Sequence, residues 1–155
     1  MEIIYMKEIQ KNIKIDRKKY MNEGFNENEI KNLETIFNKG KEFPIAFREF
    51  LFLAGKYNNF AFDDLGEGLN ELQNIAKEEL QMTRQKVDRP FFAFDVYDSQ
   101  YSVIFLDETE EDPKVYIINP YGAKEGSEPL IKPNGWIFSE LVNENIRRVK
   151  NNIAF

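Results

Sequence analysis

The sequence predicts an α+β fold, an antiparallel or mixed β-sheet meander with helices packed on one face. Three observations point to it. Apolar residues recur at helical spacing through most of residues 26–86. Aromatic and β-branched runs of strand length then occupy residues 91–118. Helical spacing returns from Trp136 to the end of the chain.

Residues 1–24 read as an arm or helix with a basic tilt from Lys11, Lys14, Arg17, Lys18 and Lys19, packed on a single domain over 25–155. Asn26 followed by Glu29 is a capping box, and Phe25 and Ile30 hold the positions of a hydrophobic staple. Ile30, Leu33 and Phe37 continue one apolar face, and Gly40 ends that helix. The next helix opens at Pro44 and closes at Gly55, with Phe47, Phe50, Leu51 and Ala54 forming a core-facing stripe. Phe52 and Leu53 widen the stripe, so this helix is expected to be buried on most sides. Residues 56–68 read as a short strand and a turn. Residues 69–86 read as a helix with Leu69, Leu72, Ala76 and Leu80 on one side.

Phe91–Tyr97 and Tyr101–Leu106 form a hairpin around Asp98-Ser99-Gln100, and Lys114–Ile118 is the third strand of the meander. Residues 119–135, rich in Gly and Pro, read as loop. The last helix covers Trp136–Val149, with Phe138, Leu141, Val142, Ile146 and Val149 inward and Trp136 anchored in the core.

Composition narrows the chemistry. The 155 residues contain 14 Phe, no Cys and no His. A phenylalanine-rich core buries much apolar area per residue and needs no staple. Without Cys there is no disulfide scaffold, thiolate nucleophile or cysteine metal site. Without His, serine–histidine triads and zinc chemistry drop out, while carboxylate mechanisms and Mg²⁺ or Ca²⁺ sites stay open. The charged start of the chain does not resemble a signal peptide, and the apolar run Phe50–Ala54 is too short to cross a bilayer. A cytoplasmic, non-catalytic protein without cofactor or metal is expected, neither membrane-bound nor bound to nucleic acid; the sequence leaves its oligomeric state open, with a slight preference for a monomer.

The net charge of −6 is unevenly spread. Residues 1–59 hold 11 basic and 9 acidic side chains, residues 60–112 hold 4 and 14, and residues 113–155 hold 6 and 4. The middle third therefore carries −10, which repels phosphates and suits a basic protein partner. The same charge also serves plain solubility.

Three features in order resemble the SUKH (Smi/Knr-type) superfamily of bacterial immunity proteins, which also includes fungal cell-wall-synthesis regulators. They are the opening helix Glu29-Ile30…Leu33-Glu34, the segment Phe43-Pro44…Phe47…Phe50-Leu51, and a meander ending in Val115-Tyr116 before a last helix near Phe138-Ser139-Glu140-Leu141. The second is similar to the family's Leu-Pro-x-x-Tyr-x-x-Phe-Leu, with Phe43 and Phe47 where Leu and Tyr are commoner. Gly55-Lys56-Tyr57-Asn58-Asn59 stands where the family has Asn-Gly-Gly. The resemblance covers roughly residues 27–149. It implies a single SUKH-like domain without catalytic residues that neutralises a polymorphic or contact-dependent bacterial toxin, here a basic nuclease-like one, by direct binding. The other role it implies is a regulatory or scaffolding domain bound to a housekeeping protein.

Candidate partner-binding residues are acidic or aromatic. Asp107, Glu108, Glu110, Glu111 and Asp112 would steer a basic partner, or simply solvate a turn and discourage edge-strand pairing. They lack the Gly and bidentate Glu spacing of an EF-hand. Asp95, Tyr97, Asp98 and Tyr101 combine contact area with carboxylates for Arg or Lys, or act as cross-strand pairs. Asp63, Asp64 and Glu67 could add acidity or serve an acid–base pair, while Asp near Gly66 and Gly68 also makes turns. Tyr121–Ser127 lacks P-loop spacing. Arg147, Arg148 and Lys150 suit a helix C-terminal dipole.

Overall fold

The computed structural model describes residues 1–15 and 21–155, so Arg17, Lys18 and Lys19 of the basic arm lie outside the described residues. Among the described residues the elements run α1 (Lys7–Lys11), α2 (Glu27–Asn38), α3 (Ile45–Ala54), α4 (Leu69–Met82), β1 (Phe91–Tyr97), β2 (Gln100–Phe105), β3 (Lys114–Ile118), α5 (Pro120–Glu125), β4 (Ile131–Ile137) and α6 (Phe138–Asn151). The strands form one sheet in the order β1-β2-β3-β4, and the fold is α+β. Two compact units divide the chain. One comprises Met1–Phe62, Glu110–Pro113 and Ile137–Phe155; the other comprises Asp63–Thr109 and Lys114–Trp136.

In the first unit, the capping box forms as its spacing predicts. Asn26 Oδ1 accepts from Glu29 N at 2.9 Å, and Glu29 Oε2 accepts from Asn26 N at 2.8 Å. The stop of α2 comes one residue before the expected glycine, because Lys39 itself adopts the left-handed conformation (φ 54°) ahead of Gly40. Helix α3 buries Phe47, Phe50 and Leu51. Phe47 and Phe50 meet Phe138 of α6 at ring-centroid distances of 5.3 and 5.5 Å, and Phe50 meets Phe62 at 5.8 Å, all edge to face. Each fully buried ring contributes roughly 1.5–3 kcal/mol, so this cluster outweighs any single polar contact around it.

Two buried carboxylates organise the same unit. Glu49, on α3, accepts from the backbone N–H groups of Ile4, Tyr5 and Met6 at 2.8, 2.8 and 2.9 Å. A buried charge is tolerated only when its lone pairs are matched, and these three donors hold the N-terminal segment on α3. Glu34 accepts from Phe43 N at 3.0 Å and lies 2.8 Å from Arg48 Nε. Gly55 has an ordinary right-handed φ of −68°. Its role is space, since a Cβ there would sit 2.6 Å from the Phe25 ring. Gly24 is tighter still, because a Cβ would fall 1.6 Å from Phe52 O. The strand expected within 56–68 does not form; Tyr57 makes only an isolated bridge to Glu23.

In the second unit, α4 turns Leu69, Leu72, Gln73, Ala76 and Leu80 inward and packs on β1. It stops at Met82, short of the expected residue 86. Gln73 is buried, its Nε2 donating to Ala93 O at 2.7 Å and its Oε1 accepting from Ala93 N at 2.8 Å. An unmatched buried backbone group costs about 1–3 kcal/mol, so this one amide offsets two such penalties on the outermost strand. Pairing of β1 with β2 is antiparallel and slips by one residue at Phe94, a β-bulge immediately after Ala93. Strand β3 continues antiparallel beside β2.

The segment 119–135 is not loop throughout. Asn119 caps α5 by accepting from Gly122 N at 2.9 Å, with Pro120 in the first turn. Residues from Ile131 then form β4, a fourth strand. Trp136 belongs to β4 and is 39% exposed, which corrects the expectation that it anchors the last helix. Phe138, fully buried as the first residue of α6, does that.

Gly24→Ala is expected to destabilise the protein by about 3 kcal/mol or more, because the clash is with backbone. Exposed Ala61 has φ 70°, so Ala61→Gly is expected to stabilise by about 0.5–1 kcal/mol. Urea denaturation of both variants checks the pair.

Candidate functional site

Strands β1 and β2 are joined through Asp98 and Ser99 alone, with Tyr97 paired to Gln100. Both turn residues have positive φ, 49° and 56°, the signature of a type I′ turn whose twist matches that of the strands. The turn is thus one residue shorter than the sequence reading, because Gln100 already belongs to β2. A side chain of α4 holds this hairpin end. Glu79 accepts from Tyr101 OH at 2.6 Å and from Ser99 Oγ at 3.2 Å. Burial, followed by the hydrogen bond to Glu79, pushes the Tyr101 phenol well above its ordinary range.

Beside the turn lies an open cavity of about 470 Å³, lined by Asp98, Ser99 and Gln100 from the hairpin and by Asn119, Tyr121 and Glu125 from α5 and its cap, among others. Its eight lining residues include two carboxylates and no Lys or Arg. Neither Asp98 nor Glu125 forms an ion pair among the described residues. The floor is set by Asn119, which is 8% exposed; its backbone N donates to Leu130 O at 2.8 Å, and its side-chain oxygen is taken by Gly122 N. A Cβ at Gly122 would fall 2.5 Å from Asn119 Nδ2, so a larger residue there would displace the Asn119 side chain.

The other sequence-predicted residues are distributed differently. Tyr97 stands at the hairpin end, 82% exposed. Tyr101 is 1% exposed, so its ring is core and only its hydroxyl reaches Glu79. Asp63 and Asp64 accept from the backbone N–H groups of Leu65 and Gly66 at 2.7 and 3.0 Å, as turn-forming aspartates do. Glu67 is exposed and has no side-chain partner among the described residues.

The acidic run 107–112 is divided between the two units. Arg89 donates to both oxygens of Asp107, at 2.9 and 2.7 Å, and to Glu108 at 3.2 Å, while its guanidinium lies 3.8 Å from the Phe105 ring centroid. These hydrogen bonds hold the Asp107 carboxyl below the usual range. Glu108 also accepts from Tyr116 OH at 2.8 Å. In the other unit, Glu111 accepts from Tyr5 OH at 2.7 Å, and Asp112 accepts from Ser139 N at 3.0 Å, capping α6 from outside that helix. Glu110 is exposed and unpaired among the described residues. Four of the five acids in the run thus have internal partners.

Asp95 lies next to the bulge, where its Oδ1 accepts from Asp63 N at 2.7 Å. Burial pushes its carboxyl up to about 6, against the opposing effect of that hydrogen bond. Glu79, Asn119, Tyr121 and Glu125 were not singled out from the sequence. The Asn119-Pro120 pair, a favoured N-cap followed by a first-turn proline, was the available signal for α5. Among the described residues no group of three or more acidic side chains is placed to hold a metal ion, and no helix is long and apolar enough to cross a membrane. No protein-family model, curated protein or solved structure matches the chain.

A carboxyl raised in the folded state binds its proton more tightly there than when unfolded. The contribution of Asp95 to stability therefore falls as pH rises from about 4 through about 6. Above that range the penalty is on the order of 3 kcal/mol. Asp95→Asn retains an oxygen for Asp63 N and removes the titration. Its stability relative to the parent is expected to grow between pH 4.5 and 7.5, measured by urea denaturation; a gap independent of pH would contradict this assignment.

Proposed function

We propose that the protein is a SUKH-type immunity protein that neutralises a basic, nuclease-like bacterial toxin by binding it through the end of the β1–β2 hairpin. The observation that carries this reading is the pairing of unpartnered acids with an exposed aromatic on a fixed scaffold. Asp98 and Glu125 face no cation in the cavity they line, and Tyr97 is 82% exposed next to Asp98. Tyrosine supplies large contact area at low entropic cost, and free carboxylates take Arg or Lys from a partner. The −10 balance over residues 60–112 supports faster encounter with a basic surface, and the ordered resemblance over residues 27–149 supports the immunity role. Inhibition works by covering the toxin's active or substrate-binding surface, with no covalent step and no cofactor.

Asp107, Glu108, Glu111 and Asp112 contribute to the long-range field, while their hydrogen bonds keep them from reaching a partner without breaking internal contacts. The interface therefore centres on Tyr97, Asp98 and Glu125. Co-expression with the product of the adjacent upstream gene is expected to rescue growth from its toxicity, with complex formation in a pull-down. Asp98→Lys with Glu125→Lys should weaken the complex by about a hundredfold and abolish rescue, whereas Glu110→Lys should lower mainly the association rate. Rescue indifferent to the double reversal would place the interface elsewhere. Stable binding to a housekeeping protein with no rescue would favour the regulatory role.

A further inference from the structure

We infer that the cavity between the hairpin turn and α5 is a receptor for an arginine residue of a polypeptide, its guanidinium taken by Asp98 and Glu125 and a main-chain carbonyl by the Asn119 amide. The inference rests on the hairpin end being the interaction site and names what that site receives.

The lining groups define the ligand. Two carboxylates without a neighbouring cation call for a ligand with positively charged N–H donors. The floor calls for something else as well. Asn119 is more than nine-tenths buried and lines the cavity. Its Oδ1 is occupied by Gly122 N, and its Nδ2 finds no acceptor among the described residues. That nitrogen is not sealed from solvent but opens on the cavity, where it can donate to an oxygen of the ligand or to water.

Few ligand classes meet these demands together. A phosphate or nucleotide brings charge of the wrong sign. A bare divalent cation or a simple amine satisfies the carboxylates and makes no use of the Asn119 amide. An arginine residue within a chain carries a planar forked donor set and, a few bonds away, a carbonyl acceptor. The cavity of about 470 Å³ has room for that side chain and its adjoining peptide groups.

The site is also held in advance of binding. Glu79 fixes Ser99 and Tyr101 on the hairpin side, and on the α5 side Asn119 N is tied to Leu130 O. Ordering costs that would otherwise reduce affinity are therefore small.

The test needs no toxin. Nα-acetyl-arginine N-methylamide and ethylguanidinium are titrated separately into the ¹⁵N-labelled full chain at low ionic strength. The capped arginine is expected to give saturable shifts confined to residues 98–100 and 119–127, with several-fold higher affinity than ethylguanidinium, which lacks the carbonyl. Asp98→Asn with Glu125→Gln, both exposed positions, should weaken capped-arginine binding about tenfold and leave the rest of the spectrum unchanged. Non-saturating or scattered shifts, equal affinity for the two probes, or an unaffected titration in the double variant would each overturn the inference. If the toxin complex forms while neither probe binds, this inference fails and the immunity reading stands. If the capped arginine binds as described and no toxin is neutralised, the receptor site stands and the immunity reading fails.

Discussion

The buried amide of Gln73 sets the geometry on which the sheet-bearing unit depends. Strand β1 is at the edge of the sheet, and its Ala93 N–H and C=O face away from β2 at the point where a bulge interrupts the ladder. Gln73 supplies both partners from one side chain, as a neighbouring strand would. Six residues along the same helix, Glu79 holds the far end of the hairpin through Ser99 and Tyr101. Two polar contacts on α4 thus fix both position and direction of the hairpin, where apolar packing alone would permit sliding. Edge strands left open are aggregation templates, and this one is covered by the Gln73 side chain at Ala93 and by the Asp63 backbone, whose carbonyl accepts from Val96 N at 3.1 Å.

The chain's acids separate into groups with different physical roles. Glu34 and Glu49 are buried and matched by backbone N–H donors, which makes them structural. Asp107, Glu108, Glu111 and Asp112 are nearer the surface and hydrogen-bonded to Arg89, Tyr5 or Ser139. Asp98, Glu125, Glu110 and Glu67, like Glu2, Glu78 and Glu140, have no side-chain partner among the described residues. Net charge describes the field that all of them produce together, but short-range recognition is open only to the last group. That is why the most acidic stretch of sequence and the most promising contact surface do not coincide.

The first unit shows the same logic with different parts. Its phenylalanine cluster supplies the bulk of the burial, and rings are large enough that α3 meets α6 through Phe47, Phe50 and Phe138. Orientation comes from polar groups at the periphery. Glu49 gathers the N-terminal backbone, Asp112 caps α6, and two glycines let segments approach where a methyl group would collide.

Much of the architecture was legible in the sequence, because it depends on local periodicity and on caps that act within four residues. The α+β class, the capping box at Asn26 and Glu29, the stripes of α3 and α4 and the first three strands all follow from such signals. Helix α5 escaped because it is short, and strand β4, as long as β1, because Pro133 and Gly135 within it read as loop; the Asn-Pro start of α5 was nonetheless present. The candidate site was legible only in part. Asp98 and Tyr97 could be picked out as acid and aromatic beside a turn, but Glu125 and Asn119 are more than twenty residues away and reach the hairpin only through the tertiary fold. Which carboxylates stay free was likewise decided by distant partners, since no local pattern says that Arg89 takes Asp107 or that Ser139 takes Asp112. The sequence by itself determined the elements and the sign of the charge; the tertiary structure alone decided which charges are still unpaired, because pairing depends on distances that chain order does not contain.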